Sequence, residues 1–173
     1  MRRDNYTILN GHWQYAITGS AAEPVQYQGE ILVPYSPEAP LSGVGRTLKP
    51  GEYLHYKRTL PIIEEEVTRS LGLGRRLLIH FGAVDEHCRV YMNGRFMGEH
   101  RGGYLSFTMD VTNALTARDN EIHVVVRDDT DTSYHARGKQ KLSPGGMFYT
   151  SQSGIWQTVW MEWAPANYIS SLR

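Results

Sequence analysis

The sequence predicts an all-β protein, a sandwich of two sheets, and three segments carry this prediction. Residues 77–85 form an apolar run typical of a buried strand. Residues 88–100 alternate apolar and polar side chains on both sides of Asn93-Gly94, and an Asn-Gly pair supplies the two positive-φ residues of a type I′ hairpin turn. Residues 120–127 are apolar and β-branched, a composition that favours a strand.

The composition allows one domain and excludes several function classes. The chain has 173 residues, enough for one well-filled core but too few for two ordinary domains with a linker. Its 18 basic and 18 acidic residues leave no net charge, so we expect no nucleic-acid partner and no membrane partner. Cys88 is the single cysteine, which excludes an internal disulfide framework. No signal peptide or membrane-spanning run is predicted, so we expect a cytoplasmic protein.

The first 45 residues are predicted to hold one short strand and a long loop. Residues 9–15 indicate a turn that leads into a strand, with Trp13 buried. Residues 19–45 are rich in Pro, Gly, Ser and Ala, which indicates mostly loop. Within this loop Glu38 could be read as a catalytic carboxylate, but a loop acid near a domain interface is the simpler interpretation.

A second strand is predicted over residues 52–60, where apolar and polar side chains alternate. Pro61 ends that strand or lies at its edge, because proline cannot donate a ladder hydrogen bond. Residues 62–75 show no clear period. We predict a loop there, with a helical turn over residues 64–73 as the alternative.

The middle of the chain is predicted to contain a buried strand, a hairpin and a further strand. The buried strand covers residues 77–81, and the hairpin strands cover residues 90–92 and 95–98. Arg101-Gly102-Gly103 should then break the strand and let the backbone pass close to a neighbouring strand or a ligand. Residues 104–107 are predicted as the next strand.

The last part of the chain is predicted to be a long loop followed by one strand. Residues 128–153 are polar and contain several Gly and a Pro, so they cannot form a core element. A connection of this length inside a compact domain usually has a function. Residues 154–163 are predicted as one continuous final strand.

Six motifs in this order along the chain form a recognisable set. They are Val33-Pro34-Tyr35-Ser36-Pro37-Glu38, Phe81-Gly82-Ala83-Val84-Asp85, Val90-Tyr91-Met92-Asn93-Gly94, His100-x-Gly102-Gly103-Tyr104, Ala136-Arg137-Gly138-Lys139-Gln140 and Gly154-Ile155-Trp156-Gln157-Thr158-Val159-Trp160-Met161-Glu162. The set resembles the N-terminal, sugar-binding jelly-roll domain of glycoside hydrolase family 2, which includes β-galactosidases, β-glucuronidases and β-mannosidases. The last motif is the most specific of the six.

The resemblance implies a jelly-roll β-sandwich of the galactose-binding-domain-like type. Residues 1–165 would be the N-terminal domain, and residues 166–173 would begin a linker or the immunoglobulin-like domain that follows it in the family. The catalytic glutamates of the family lie in a downstream (β/α)₈ barrel. We therefore expect no catalytic residue in this chain and no glycoside hydrolysis by the isolated domain, while the parent protein would be a hydrolase of O-glycosyl bonds, most simply a β-galactosidase.

The resemblance also implies a set of substrate-binding residues for a β-glycoside. Asp129 is the best match to an aspartate that contacts the sugar in some β-galactosidases, and Asp128 is the alternative if the register shifts by one residue. A carboxylate suits this task because it accepts hydrogen bonds from two sugar hydroxyls at once. A solvated acidic turn or a weak cation site is the competing interpretation. Arg137 and Lys139 would brace the loop against the barrel or pair with its carboxylates, with exposed loop cations as the alternative, and His100 would approach the sugar or the catalytic domain.

Several further expectations concern partners and cofactors. The partners would be the barrel and the immunoglobulin-like domain of the same full-length chain, with a homo-oligomer as a further expectation. A free-standing carbohydrate-binding module, lectin-like in function, is the alternative from another class. His87 and Cys88 are neighbours on a strand and point to opposite faces, which argues against a thiol nucleophile. We expect no cofactor and no metal, because the remaining histidines show no metal-ligand spacing on a shared element. Those histidines are His12, His55, His80, His123 and His135.

Overall fold

The computed structural model describes residues 5–170, and β-strands supply most of its regular structure. The strands are β1 (Tyr6–Ile8), β2 (Gly11–Thr18), β3 (Gly29–Val33), β4 (Tyr53–Thr59), β5 (Arg76–Phe81), β6 (Val84–Asp85), β7 (His87–Met92), β8 (Arg95–Arg101), β9 (Phe107–Asp110), β10 (Glu121–Arg127), β11 (Gln140–Lys141), β12 (Tyr149–Thr150), β13 (Gly154–Ile155) and β14 (Val159–Ala164). One α-helix, α1 (Glu64–Gly72), lies between β4 and β5.

The strands form two antiparallel sheets that share one hydrophobic core. The larger sheet has six strands in the order β3-β2-β4-β10-β7-β8, and the smaller has four in the order β1-β14-β5-β9. Two short ribbons, β6 with β13 and β11 with β12, lie outside these sheets. The inward side chains of both sheets belong to a single buried cluster. The predicted all-β sandwich is therefore confirmed.

Strand alternation determines which side chains enter this core. Along β7, Cys88, Val90 and Met92 are fully buried, whereas the residues between them are partly exposed. Successive side chains of a strand point to opposite faces, so the intervening His87 and Arg89 lie on the outer face of the six-stranded sheet. The candidate functional site lies on this outer face.

The predicted hairpin is confirmed in turn type and register. Asn93 and Gly94 have φ angles of 51° and 74°, and β7 pairs with β8 from Met92↔Arg95 outward. The Asn93 side chain also holds the turn against the rest of the molecule, because its Nδ2 donates to the Ala114 carbonyl at 2.8 Å. A left-handed Asn that also makes tertiary hydrogen bonds is well suited to this position.

The prediction of a loop over residues 62–75 is wrong, because α1 forms there. Three glutamates occupy its first turn, where negative charge favours a helix N-terminus. Val67 and Ser70, three residues apart, form a narrow buried face. Trp163 Nε1 donates to Glu66 Oε1 at 2.7 Å and ties the helix to β14. Two buried positions give too weak a helical period to detect in the sequence. Tertiary contacts such as the one with Trp163 provide further stabilisation of the helix.

Two strand assignments also differ from the predictions. The loop predicted over residues 19–45 contains β3, which pairs with β2 and buries Ile31 and Val33. The strand predicted over residues 104–107 lies instead at Phe107–Asp110, where it pairs with β5. β3 was not predicted because the residues on both sides of it are rich in Gly and Pro. The start of β9 is decided by the register of its pairing with β5 and not by composition.

The strand predicted over residues 154–163 is interrupted. Gly154 and Ile155 pair with β6, outside the main sheets, and β14 resumes at Val159 in the four-stranded sheet. Between them Trp156 Nε1 donates to the Gly103 carbonyl at 2.7 Å. The segment therefore serves two different pairings, which one run of apolar residues does not reveal.

None of the helices in the described part of the chain is long and apolar enough to cross a membrane.

Candidate functional site

Asp128 and Asp129 lie at the end of the six-stranded sheet, directly after β10, and their side chains point in different directions. Asp128 is only 2% exposed, and its carboxylate accepts from Thr130 N at 2.7 Å and from Ser153 Oγ at 2.9 Å. Asp129 accepts from Gly51 N at 3.0 Å and stays at the surface. The neighbouring carboxylates, left open as alternatives for one role, thus occupy two different environments.

Asp129 lines a cavity of about 240 Å³ on the outer face of the six-stranded sheet. The cavity forms because outward side chains of β4, β7 and β10 meet the start of the loop that follows β10. Its lining is mostly polar and charged. The lining residues are Ala21, Tyr53, Glu86, His87, Arg89, Arg101, Val125, Arg127, Asp129 and Ser133.

The charge state of Asp129 is set by its contact with Arg127. Partial burial raises the pKa of Asp129, but hydrogen bonds from Arg127 and from the Gly51 amide outweigh that effect and hold its pKa below the usual value. Arg127 Nε lies 2.9 Å from Asp129 Oδ2. An ionised carboxylate only accepts hydrogen bonds, while guanidinium groups only donate. The cavity therefore offers both kinds of partner to a ligand that carries hydroxyl groups.

The other predicted site residues lie outside the cavity lining. The His100 ring stacks on Phe107 with centroids 4.2 Å apart, and its Nε2 lies 3.2 Å from the Gly102 carbonyl. Arg137 Nη1 donates to the carbonyl of Ser133, a lining residue, at 3.3 Å. Lys139 is exposed, and its carbonyl accepts from Tyr149 N. Asp129 therefore lines the cavity, whereas Arg137 contacts a lining residue, Ser133, without lining the cavity itself.

Several lining residues were not identified from the sequence. Arg89, Arg101 and Arg127 supply three guanidinium groups, and Tyr53 supplies an aromatic ring over which Arg127 lies, 5.8 Å from ring centroid to Cζ. A sequence signal exists: His87 and Arg89 alternate with buried residues on a strand, so they must share the outer face. The sequence does not show that the pairing of β4 with β10 brings Tyr53 and Arg127 to the same face.

A second group of polar side chains is buried beneath the loop. Asp85, Asp128 and His135 each offer one ligand atom, and these atoms lie within 4.8 Å of one another. Burial raises the pKa of Asp85 to about 7, and the nearby Asp128 charge adds to the effect. Two carboxylates and an imidazole in this arrangement are ligands that could hold a metal ion.

Gly103 explains how the Asp85 carboxylate fits into this group. A Cβ at Gly103 would overlap that carboxylate. The predicted close approach of the Arg101-Gly102-Gly103 backbone to a neighbour is therefore confirmed, and the neighbour is the side chain of Asp85. Glycine is required here because the first atom of any side chain would occupy the same space.

Two residues considered for chemistry have structural roles. Glu38 accepts from Leu48 N at 3.2 Å and from Ser153 N at 3.0 Å, and burial raises its pKa. Cys88 is fully buried, which raises the pKa of its thiol to about 12, and His87 lies on the opposite face of β7. A thiol so far from ionisation is a poor nucleophile.

The chain matches a known family and several known proteins. The family model described as "Glycosyl hydrolases family 2, sugar binding domain" matches residues 46–165. A β-galactosidase of Thermoanaerobacter pseudethanolicus is 33% identical over 91 residues, which are 51% of this chain and 11% of that protein. A putative β-glucuronidase of Formosa agariphila is 32% identical over 118 residues, which are 68% of this chain and 13% of that protein.

Solved structures share the fold over nearly the whole chain. The β-glucuronidase of Lactobacillus rhamnosus has a TM-score of 0.70 and 20% identity, over 95% of this chain and 30% of that one. A glycosyl hydrolase family 2 member from Bacteroides cellulosilyticus has a TM-score of 0.62 and 16% identity, over 92% of this chain and 20% of that one. The chain thus spans a third or less of these solved chains, and its aligned part spans 11–13% of the two curated relatives. Because the family match extends over more than half of its length, the chain belongs to glycosyl hydrolase family 2 and is the sugar-binding domain of that family.

Proposed function

We propose that this chain is the non-catalytic, N-terminal domain of a larger family 2 β-glycosidase. One observation carries the proposal: the match to the sugar-binding domain extends over residues 46–165, while the aligned segment covers only 11% and 13% of two relatives. The catalytic barrel and the immunoglobulin-like domain of the same full-length chain would be its partners. The domain would support the barrel and lend side chains to the sugar site.

The substrate class that we propose is a β-glycoside, with a β-galactoside first. A relative at 33% identity is named a β-galactosidase, which supports this order, and another at 32% is named a putative β-glucuronidase. The cavity supplies three guanidinium groups beside Asp129. Guanidinium and carboxylate groups together can hydrogen-bond the hydroxyls of a neutral sugar, and a guanidinium can also pair with a uronic acid carboxylate.

Asp129 is the residue that we propose to contact the sugar. Its surface position at the cavity and its lowered pKa support the role, because an ionised carboxylate can accept from two hydroxyls. Arg137 would hold the cavity rim through Ser133. Lys139 and His100 would face the partner domain, and Asp128 would support the loop from beneath.

The experiment compares the full-length protein with the 173-residue chain on aryl β-galactoside, β-glucuronide and β-mannoside substrates. The full-length protein should hydrolyse one of them, and the isolated chain should not. Loss of a hydrogen bond to a charged group costs roughly 1.5–3 kcal/mol, so Asp129→Asn should lower kcat/KM about 10- to 100-fold.

Asp131→Asn is the matched control, because Asp131 lies two residues further along the same loop and its Oδ1 accepts only a long, 3.4 Å hydrogen bond from Leu142 N. Its kcat/KM should stay within about twofold of the parent, which corresponds to less than 0.5 kcal/mol. A full-length protein that cleaves none of the three substrates would overturn the proposal. Equal losses in the two variants would overturn the role of Asp129 alone.

A further inference from the structure

We propose that Asp85, Asp128 and His135 bind one divalent transition-metal cation, Zn²⁺ or Mn²⁺, beneath the loop that follows β10. Their ligand atoms lie within 4.8 Å of one another. Ligand atoms around one tetrahedral Zn²⁺ at 2.0–2.2 Å lie about 3.5 Å apart, so closing the site brings these side chains together by up to roughly 1.3 Å. This site is distinct from the cavity that contains Asp129.

The negative charge of the cluster has no matching cation among the described side chains. Asp85 and Asp128 are 3% and 2% exposed, and Glu38 lies close enough for its charge to raise the pKa of Asp85. In the described part of the chain, His135 is the basic side chain that lies within 4.0 Å of one of these carboxylates, with its Nε2 3.4 Å from Asp128 Oδ1. Buried carboxyl groups are normally paired, protonated or bound to a metal, and the described side chains offer these three carboxyl groups one imidazole.

Unpartnered buried atoms point to a ligand independently of the charge count. Among residues 5–170, Asp85 Oδ1 and His135 Nδ1 are buried and have no hydrogen-bond partner. Gln140 Nε2 donates to the other Asp85 oxygen at 3.4 Å, so Oδ1 is the oxygen left over. A buried polar atom without a partner loses its hydration and gains nothing in return. A cation bound at Asp85 Oδ1 would supply the missing partner of that oxygen.

Side chains around the three proposed ligands hold two of them in place by hydrogen bonds. Gln140 is held as a donor to Asp85, because its own Oε1 accepts from Gln152 N at 2.6 Å. Asp128 is fixed by Ser153 Oγ at 2.9 Å. Second partners of this kind orient metal ligands. They also connect the ends of the loop, so a cation here would join β6, the end of β10 and residues 135–153.

The ligand types select the class of cation. Imidazole nitrogen binds Zn²⁺ and similar transition metals well, whereas Ca²⁺ and Mg²⁺ take oxygen ligands almost entirely. Mn²⁺ accepts both carboxylates and imidazole. With one histidine among three ligands, Zn²⁺ and Mn²⁺ should bind more tightly than Ca²⁺ and Mg²⁺.

The test uses the 173-residue chain, whose two sheets share one core, stripped of metal with a chelator. Calorimetric titration with each of Zn²⁺, Mn²⁺, Ca²⁺ and Mg²⁺ should show one site per chain, filled most tightly by Zn²⁺ or Mn²⁺. At a hundredfold excess of cation over Kd, Tm should rise by about 5–10 °C. The Mn²⁺ electron paramagnetic resonance signal reports direct coordination.

Two substitutions remove ligands with little change in shape: Asp85→Asn and His135→Gln. Each should weaken Zn²⁺ or Mn²⁺ binding at least about tenfold, as loss of one ligand interaction requires. The matched controls are Asp131→Asn, in the same loop, and His87→Gln, another histidine beside a carboxylate, with its Nε2 3.2 Å from Glu99. Both controls should bind the cation as the parent does.

Clear outcomes oppose the proposal. Titrations that show no saturable site for any of the four cations would overturn it, as would Asp85→Asn or His135→Gln proteins that bind as tightly as the parent. Preferential binding of Ca²⁺ or Mg²⁺ would overturn the imidazole-containing site. Circular dichroism of each variant establishes that it is folded, so that lost binding reports the ligand and not the fold.

Discussion

Single residues in this molecule carry constraints that come from close packing and not from chemistry. Gly154 shows this most directly. It has a φ of 77°, and a Cβ there would overlap Tyr56 Oη and come within 2.9 Å of Leu54 Cδ2. Tyr56 is fully buried, and its hydroxyl accepts from Ile155 N at 3.1 Å. The glycine that opens the Gly-Ile-Trp motif therefore exists to let β13 lie directly on the core.

Gly154→Ala should destabilise the chain severely, by about 3–5 kcal/mol, because both the clash and the left-handed backbone oppose a side chain. Gly45→Ala is the control, since Gly45 has a φ of 62° but nothing within 4 Å of its added Cβ. It should lose only about 1 kcal/mol from backbone strain. Urea unfolding of both variants measures the difference, and equal losses would show that the packing argument is mistaken.

At the scale of the elements, the pairing of β4 with β10 buries two histidines against each other. The rings of His55 and His123 stack with centroids 5.4 Å apart, and His55 Nδ1 lies 3.1 Å from His123 Nε2. His55 Nε2 faces the Ser20 carbonyl at 3.0 Å. A carbonyl oxygen only accepts, so His55 Nε2 donates there, beside the Thr18 hydroxyl, and His55 Nδ1 accepts from His123 Nε2. Burial lowers the pKa of His55.

The surroundings of His123 oppose its protonation. Burial lowers its pKa to about 4, since attraction from Glu23, 3.9 Å away, is outweighed by burial together with repulsion from His55 and Lys57. Tyr91 covers its other face, with ring centroids 5.5 Å apart. An unfolded histidine has a pKa near 6.5. Between the two values the unfolded chain binds more protons, so the folded state loses stability as pH falls.

His123→Gln should remove the share of this pH dependence that comes from His123, while His55, whose pKa burial also lowers, contributes in both proteins. From pH 7 to pH 4 the parent should lose about 1–2 kcal/mol of unfolding free energy relative to the variant, after allowance for solvent screening. Asp85, whose pKa is raised to about 7, contributes with the opposite sign in both proteins and cancels in the comparison. Denaturant unfolding across this range measures the effect. His12→Gln, at an exposed site, should follow the parent curve; parallel curves for His123→Gln would contradict the argument.

At the scale of the whole molecule, large apolar side chains are exposed in two loop segments. Tyr104 and Leu105 are 49% and 73% exposed, and Met147 and Tyr149 are 61% and 67% exposed. The Tyr104 hydroxyl approaches Gly138, so the first segment lies against the loop that contains the second. Exposed apolar patches mark interaction sites. The proposed occupant is another domain of the full-length chain, because this chain spans only a small part of its relatives.

The isolated chain should therefore associate with itself as its concentration rises. Sedimentation velocity over a wide concentration range should show a rising mean mass, and Leu105→Ser should reduce that rise. Val25→Ser is the control, because Val25 is fully exposed in a different loop. A parent that stays monomeric at its highest concentration, or a Val25→Ser protein reduced to the same extent, would contradict the proposed patch.

The sequence by itself determined the all-β class, the hairpin at Asn93, the buried strand before it and the family. Strand periodicity and turn chemistry are local, since a run of about 4–8 alternating residues or one Asn-Gly pair suffices to indicate them. The hairpin at Asn93, the buried strand at residues 76–81 and the all-β class were therefore predictable. The parts of the motif from Gly154 to Glu162 meet different neighbours: Gly154 and Ile155 pair with β6, Trp156 donates to Gly103, and the segment from Val159 pairs with β5.

Only the tertiary structure decided how distant residues meet. Asp85 and His135 are 50 positions apart, and Tyr53 and Arg127 are 74 apart, so no spacing rule could bring either pair together. The helix at residues 64–72 has a narrow apolar face and depends on its contact with Trp163. Asp128 and Asp129 look equivalent in the sequence. Pairing of β10 within the sheet turns one carboxylate into the interior and leaves the other at the cavity, because register, and not residue type, selects the face.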